Sequence, residues 1–407
     1  MKWLKSSVGD LCLRATSGGT PPTKNQSFYG GEIPWLRTQE VNFNFIEDTK
    51  IKITEDGLRN SSAKWIPENS VIVALYGNSS GRVAINKIPL TTNQACGNFI
   101  ISPQKADYLF VYYALLKDYD VLHGMSRGAA QNNLNLEMVK NYRINHPSLA
   151  EQEKIGETLF AYDSLIGNNV RRMNLLEEST KLLYKEWFVR LRFPGHEHTR
   201  IVKGVPEGWV SGIIADFYDT GSGGTPSRKR PEYFEGNTLW VKTQELKNEF
   251  LIETQERITE QAIRDSAARV FPEGTVLFAM YGATIGQLGI LALPSATNQA
   301  CCAIIPRHQG LHYIYAFLFL LENKQRLIGL AQGAAQKNVN QEIIKSYPMI
   351  SPSRTILNQF VESLRPSFEL RLNLQLQNKK LREARDIMLP RLMSGEIVVS
   401  SEGNTGT

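Results

Sequence analysis

The sequence predicts an α+β protein: two similar mixed α/β domains and two long helices that pack on one another as a coiled coil. Three observations carry that prediction. The chain repeats itself at an offset of 205 residues, so one domain fold is used twice. Each copy opens with short β-like runs that end at glycine, then closes on a stretch whose apolar residues recur at alternating four- and three-residue steps. With 407 residues, 42% hydrophobic and 21% charged, the chain has enough material for two or three buried cores.

The duplication is read residue by residue. Gly18-Gly19-Thr20-Pro21 falls on Gly223-Gly224-Thr225-Pro226, and Trp35-x-x-Thr38-Gln39-Glu40 on Trp240-x-x-Thr243-Gln244-Glu245. Ile53-Thr54-Glu55 falls on Ile258-Thr259-Glu260, and Tyr76-Gly77 on Tyr281-Gly282. Thr92-Asn93-Gln94-Ala95-Cys96 matches Thr297-Asn298-Gln299-Ala300-Cys301, and Gly128-Ala129-Ala130-Gln131 matches Gly333-Ala334-Ala335-Gln336. Roughly 50 of about 131 gap-free positions are identical, which chance does not supply.

Taken in order, residues 1–148 read as the first mixed domain, with strands such as the run Ser70 to Tyr76 ending at Gly77. Residues 149–192 read as a central helix. Its seam is Ile155, Leu159, Tyr162, Ile166, Met173, Leu176, Leu183 and Trp187, broken by Asn169 and Thr180. A 3.5-residue period sustained this long needs a second helix as its partner. Residues 193–204 form a linker, punctuated by Phe193-Pro194-Gly195 and followed by Val205-Pro206-Glu207-Gly208-Trp209. Residues 205–352 are the second domain, with Thr275 to Tyr281 as its matching strand. Residues 353–395 supply the partner helix through Phe360, Leu364, Leu374, Leu381, Met388 and Leu392, a seam interrupted by Arg371, Asn378 and Arg385. Leu370, Leu372, Leu374 and Leu376 alternate as a strand would, but the Glu, Arg, Lys and Gln around them favour helix. Residues 396–407 are expected to be a disordered tail.

Composition excludes several classes. The longest apolar run, Tyr313 to Leu321, is far short of the about 20 residues a spanning helix needs. Met1-Lys2-Trp3-Leu4-Lys5 lacks a signal-peptide apolar region, so an unprocessed intracellular protein is expected. Four cysteines, Cys12, Cys96, Cys301 and Cys302, have neither disulfide-framework nor zinc spacing and are expected to be small buried thiols. No phosphate loop, H-E-x-x-H, G-x-S-x-G or Asn-Pro-Pro-Tyr tetrapeptide is present. His196-Glu197-His198 is a pair of linker imidazoles without further ligands, and no metal is assigned. Gly221-Ser222-Gly223-Gly224 departs from the dinucleotide fingerprint at Pro226 and is expected to be a turn. No catalytic residue is assigned. From residues alone two further classes stay open: an assembly protein whose paired domains bind a peptide or other non-DNA ligand, and an enzyme whose motif is not local.

In its order of motifs, its duplication and its helical spacers, the chain resembles the type I restriction-modification specificity subunits over essentially its whole length. The resemblance implies two target-recognition domains, each reading one half of a bipartite double-stranded DNA target. It also implies helices that pack antiparallel and set the distance between the halves, and hence a pseudo-twofold arrangement of the domains. The implied partners are two methyltransferase subunits and, where a nuclease accompanies them, two restriction or translocase subunits in a prokaryotic cytoplasm. No cofactor is expected in this chain: AdoMet belongs to the methyltransferase, ATP and Mg to the restriction subunit. Each methyltransferase is expected to flip an adenine beside its recognition domain.

Charge and repetition then nominate residues. The net charge is +6. It is uneven: residues 1–148 carry 16 basic and 12 acidic groups, whereas residues 205–352 carry 13 and 14. Phosphate neutralisation dominates affinity, so the isolated chain is expected to bind DNA weakly and salt-sensitively. Positions shared by both copies suit the frame or phosphates; polar positions that differ suit base readout. The first candidate loop holds Arg127, Gln131 and Asn132, matched by Gln332, Gln336 and Lys337. The second is the turn with Asn78, Ser79 and Arg82, matched at Thr284 and Gln287. The third is Arg37 and Gln39 with Lys242 and Gln244, flanked by Lys24, Arg228 and Lys229 as phosphate holders. Thr92-Asn93-Gln94, identical in both copies, is expected to be structural, and Trp35, Trp240, Tyr76 and Tyr281 to pack in the core or its rim. Similar domains further imply similar half-sites.

Overall fold

The computed structural model describes residues 3–128, 133–307, 311–332 and 338–398, the side chains of 126–128 and 331–332 excepted. The chain divides into two units: Met1–Ile166 with Lys380–Thr407, and Gly167–Lys379. Both are mixed α/β, as the repeat predicts.

In the first unit, strands β1 (Cys12–Ser17), β2 (Asn44–Ile46), β3 (Val71–Ala74), β4 (Val83–Asn86) and β5 (Cys96–Ile101) form one sheet in the order β1-β5-β3-β4-β2. Only β2 and β4 run parallel. Every residue of β3 and β4 is buried, so these strands read as unbroken apolar runs rather than alternating ones. Helix α1 (Tyr108–Lys117) covers this sheet and is buried from Leu109 to Leu115; Asp107 caps it, accepting the Phe110 N–H at 2.8 Å. Helix α2 (Tyr119–Gly128) follows. A smaller sheet places Tyr29–Leu36 between Lys52–Ile53 and Thr91–Thr92. Leu4–Ser7 pairs with Arg143–His146, tying the first segment of the domain to its last.

The second unit repeats the plan. Strands β6 (Tyr218–Ser222), β7 (Glu249–Leu251), β8 (Val276–Ala279), β9 (Leu288–Leu291) and β10 (Cys301–Pro306) lie in the order β6-β10-β8-β9-β7, again with one parallel pair, β7 with β9. Gly221 and Ser222, expected in a turn, instead end strand β6, because that edge strand pairs with β10 along its full length. The longest apolar run opens helix α4 (Tyr313–Gln332), whose residues Ile314 to Leu320 are buried in the core of this unit. Among the described residues no helix is long and apolar enough to cross a membrane.

Two long helices complete the architecture: α3 (Leu149–Tyr184), continued by a π-helical turn over Lys185–Val189, and α5 (Arg354–Leu392). The alternating leucines at 370–376 lie inside α5, as the surrounding helix formers require. Each helix begins in one unit and ends in the other. They run antiparallel: Asp163 pairs with Arg385 within the first unit, and Asn169 with Asn378 and Glu177 with Arg371 within the second. Ile155, Leu159, Ile166 and Met173 of the predicted seam are buried, as are Phe360, Leu364 and Leu374; Leu176, Leu183, Leu381 and Met388 are half-buried.

The polar interruptions of the α5 seam are paired across to α3. Arg371, Asn378 and Arg385 stand seven residues apart and face inward, Arg371 and Asn378 only 4% and 1% exposed. Each meets a complementary group on α3. Asn169 Nδ2 donates to Asn378 Oδ1 at 2.9 Å, Arg371 Nη2 to Glu177 Oε2 at 2.9 Å, and Arg385 Nη1 to Asp163, which also accepts the Tyr113 hydroxyl at 2.7 Å. They are seam positions in their own right. Two smaller expectations also shift. Cys12 is half-buried rather than buried. Of the tail expected to be disordered, Ile397 packs against the core of the first unit, while 399–407 lie outside the described residues.

Candidate nucleic-acid interface

The strand directions gather the motifs. In the first unit, Ser17 pairs with Gly97, Ala74 with Cys96, Val73 with Val83 and Asn44 with Ala84. One end of the main sheet therefore carries Gly18–Thr20 after β1, Tyr76–Arg82 between β3 and β4, Asn93–Ala95 before β5, and Arg37–Phe43 before β2. The same register in the second unit gathers Gly223–Thr225, Tyr281–Gln287, Asn298–Ala300 and Lys242–Asn248.

The shared residues build the frame of this end. A Cβ on Gly18 would sit 2.0 Å from the Thr92 carbonyl oxygen, and one on Gly223 2.0 Å from that of Thr297, so neither position has room for a side chain. The next amides, Gly19 and Gly224, donate to those same carbonyls at 2.9 and 3.0 Å. Their own carbonyls accept the Trp35 and Trp240 indole N–H, each at 3.0 Å. Thr20 and Thr225 donate to Gln94 and Gln299. Glu40 accepts the backbone N–H of Arg37 and Lys50, and Glu245 that of Lys242 and Gln255. The tryptophan and glutamate of the motif thus hold the loop, which leaves Gln39 and Gln244 exposed at its tip. The Thr-Asn-Gln segment is the frame's anchor, and Trp35 and Trp240 are core.

In the first unit two predicted groups come together, beside the segments that flank the third. The turn between β3 and β4 uses Gly77 and Gly81 at φ +73° and +84°, a conformation closed to most side chains. It exposes Asn78, half-exposes Ser79 and sends Arg82 Nη1 to Asn42 Oδ1 at 2.8 Å, next to the Arg37–Gln39 loop. His123 of α2 lies 3.0 Å from the Ser80 carbonyl, and the Leu134 N–H donates to Leu75 at 3.1 Å. Both stems of the glycine-rich loop therefore flank this turn. The loop's own candidates, Gln131, Asn132, Gln336 and Lys337, lie outside the described residues, as do the side chains of Arg127 and Gln332. In the second unit Thr284 and Gln287 form the equivalent turn, with the Gln287 N–H on the Thr284 carbonyl at 2.9 Å. Lys24 and Lys229 are exposed on the neighbouring loops without an ion-pair partner among the described residues.

Polar atoms lacking partners concentrate here. Seven buried side-chain N or O atoms have no hydrogen-bond partner among the described residues, and five belong to these loops or their anchors: Arg37 Nε, Arg82 Nε, Asn93 Oδ1, Gln287 Oε1 and Thr297 Oγ1. Buried polar groups are otherwise satisfied almost everywhere, so an excess at one end calls for an explanation. The second unit adds an ionic knot. Glu256 accepts Arg228 in a bidentate pair, Nη2 to Oε2 at 2.9 Å, and Lys242 Nζ at 2.8 Å. Those two partners hold its carboxyl at about 2, against an ordinary 4.5. Arg228 also lies over the Phe234 and Trp240 rings at 4.2 and 5.2 Å. Sequence reasoning missed Glu256 and Asn42, because their counterparts in the other copy, Ile51 and Lys247, share nothing with them.

Burial pushes the Cys302 and Cys12 thiols up to about 12, and Cys96 and Cys301 higher still, so all four stay protonated. His196 Nδ1 lies 2.8 Å from the Phe193 carbonyl in a short helical turn. No group of three or more His, Cys, Asp or Glu able to hold a metal occurs among the described residues.

Comparison with known proteins places the chain. The family described as "Type I restriction modification DNA specificity domain" matches residues 1–178 and 206–377, one match per copy. The MjaIX specificity subunit of Methanocaldococcus jannaschii is 28% identical over 411 residues, covering 98% of this chain and 94% of its own. The HindI specificity subunit of Haemophilus influenzae is 29% identical over 196 residues, 47% of this chain and 42% of its own. Among solved structures, the type I restriction-modification S subunit from M. genitalium shares the fold, with a TM-score of 0.62 at 13% identity over 98% of this chain and 97% of that one. On the match to both copies, the chain belongs to the type I restriction-modification specificity subunits, which are the non-catalytic subunits of those enzymes.

Proposed function

We propose that this component of a type I restriction-modification complex reads a bipartite DNA target, each unit contacting one half-site with the loop end described above. The observation that supports the reading is the concentration of unpartnered buried polar atoms and basic or amide side chains at that end in both copies. Arg37, Gln39, Asn78, Arg82, Gln244 and Gln287 are of the types that discriminate guanine and adenine by bidentate contacts. Lys24 and Lys229 suit phosphates. Methyl transfer with AdoMet, and ATP- and Mg-dependent restriction, fall to partner subunits in a prokaryotic cytoplasm. For both ends to grip one face of the duplex, half-site centres lie about one turn apart, roughly 34–36 Å.

Adenine-methylation mapping in cells that express this chain with its cognate methyltransferase tests the reading. The expected result is one methylated motif of two short half-sites around a fixed unread spacer, lost when the chain is deleted. Methylation that does not depend on this chain, or a single uninterrupted motif, overturns it.

A further inference from the structure

The two copies differ most sharply in how their basic residues are engaged. In the second unit Glu256 holds Arg228 by both carboxylate oxygens and Lys242 by one. The first copy has Thr23 where Arg228 stands, Ile51 where Glu256 stands and Arg37 where Lys242 stands. Among the described residues Arg37 has no carboxylate partner, and its Nε is one of the unpartnered buried atoms. Glu256 reaches this end because Arg257 and Ile258 pair with Leu239 and Thr238, which sets it beside the strand that delivers Lys242; the Trp240 N–H donates to its carbonyl at 3.2 Å. Its side chain is 26% exposed, so the knot lies at the surface where a phosphate would compete for it.

We propose that Glu256 is a built-in competitor for DNA phosphate: it occupies Arg228 and Lys242, weakens the sequence-independent grip of the second unit, and leaves phosphate attraction chiefly to the first. This deepens the proposed function and rests on it. Phosphate contacts carry no sequence information, whereas base contacts do. A unit with two of its cations already neutralised depends more for its affinity on the bases it reads, so the second half-site is the more discriminating one. The uneven charge agrees, with 16 basic and 12 acidic groups in residues 1–148 against 13 and 14 in residues 205–352.

The test is the salt dependence of binding by the full-length chain to a labelled duplex of arbitrary sequence. Freeing two cations adds up to two phosphate contacts, each contributing about 0.9 to the slope of log K against log salt. Glu256→Gln is expected to bind more tightly and to steepen the slope by about 1 to 2. Adding Arg228→Gln and Lys242→Gln removes that gain, and Glu207→Gln, just after the linker, which changes net charge equally, leaves the slope unchanged. Ile51→Glu, with Ile51→Gln as its control for folding, places a carboxylate beside Arg37 and makes the slope shallower by about 1. If Glu256→Gln does not fold, Glu256→Ala serves in its place. An unchanged or shallower slope on removing Glu256, or a gain that survives loss of both cations, overturns the proposal while the DNA reading stands. No binding by wild type or variant at low salt overturns the reading itself.

Discussion

At the scale of single residues, the two copies use one position for opposite chemistry. Asp107 and His312 are equivalents at the start of α1 and α4: Asp107 accepts the Phe110 N–H, and His312 Nδ1 the Ile314 N–H at 3.2 Å. Burial raises Asp107 from 3.8 to about 6, against the Phe110 and Leu109 amides that favour the charge and with Glu153 and Glu157 nearby that oppose it. Burial lowers His312 from 6.5 to about 4, assisted by Arg365 and opposed by Glu362. Both sites reject charge, and the signs follow. The native state holds the Asp107 proton longer than the unfolded chain does. Its contribution is therefore complete below about pH 4 and is lost as pH rises through about 6. The unfolded chain protonates His312 first, so that contribution is complete above about pH 6.5 and is lost as pH falls through about 4. Hydrogen exchange of α1 and α4 between these limits is expected to show opposite trends, on the order of 1–2 kcal/mol each after solvent screening. Asp107→Asn and His312→Asn, which keep the cap, flatten them. Parallel trends in the two helices contradict the assignment. At this scale the frame residues were legible, because identity between copies marked Gly18, Trp35, Glu40 and their equivalents. Glu256 was not: it has no counterpart, and only the 257–258 pairing brings it to Lys242.

At the scale of elements, the helices were read from their heptads, yet three positions that break the apolar pattern proved to be layers of it. Sequence marks Arg371, Asn378 and Arg385 as polar; it does not reveal that Glu177, Asn169 and Asp163 lie opposite, since that depends on the register between segments about 200 residues apart. The order of these layers specifies register. Sliding α5 by one heptad would set Arg371 against Asn169 or Tyr184 and leave Glu177 and Asp163 without an arginine from α5, Glu177 keeping only Lys181 of its own helix. Burial lowers the Arg371 pKa even with Glu177 and Glu249 beside it, the mark of a charge kept in a poor solvent. Removing one partner then costs more than removing both. Glu177→Leu alone strands the guanidinium and is expected to destabilise by about 3–5 kcal/mol, while Glu177→Leu with Arg371→Met is neutral or stabilising by about 1–4 kcal/mol. Urea denaturation of the single and double variants decides it; equal losses in both would show that the pair is the net stabiliser.

At the scale of the whole molecule, the duplication made the domain count legible while the loop ends proposed to meet DNA stayed hidden, because strand direction, not sequence adjacency, brings residues 18, 37, 82 and 94 together. The same layers offer a way to test the helices as a ruler. On the proposed reading, α3 and α5 set the separation between half-sites, and removing seven residues from each shortens the pair by about 10 Å, or about 3 bp of duplex. Most such deletions also disturb the register and confound shortening with misfolding. Deleting 164–170 from α3 and 378–384 from α5 does not. It removes the Asn169–Asn378 layer whole, and Asp163 still meets Arg385 and Glu177 still meets Arg371, since each helix closes by one heptad between its two remaining charges. The expected outcome is a folded chain with unchanged half-sites and a spacer about 3 bp shorter by methylation mapping. A folded variant that keeps the parental spacer would mean that separation is set outside these helices, and the ruler would have to be sought in the partner subunits.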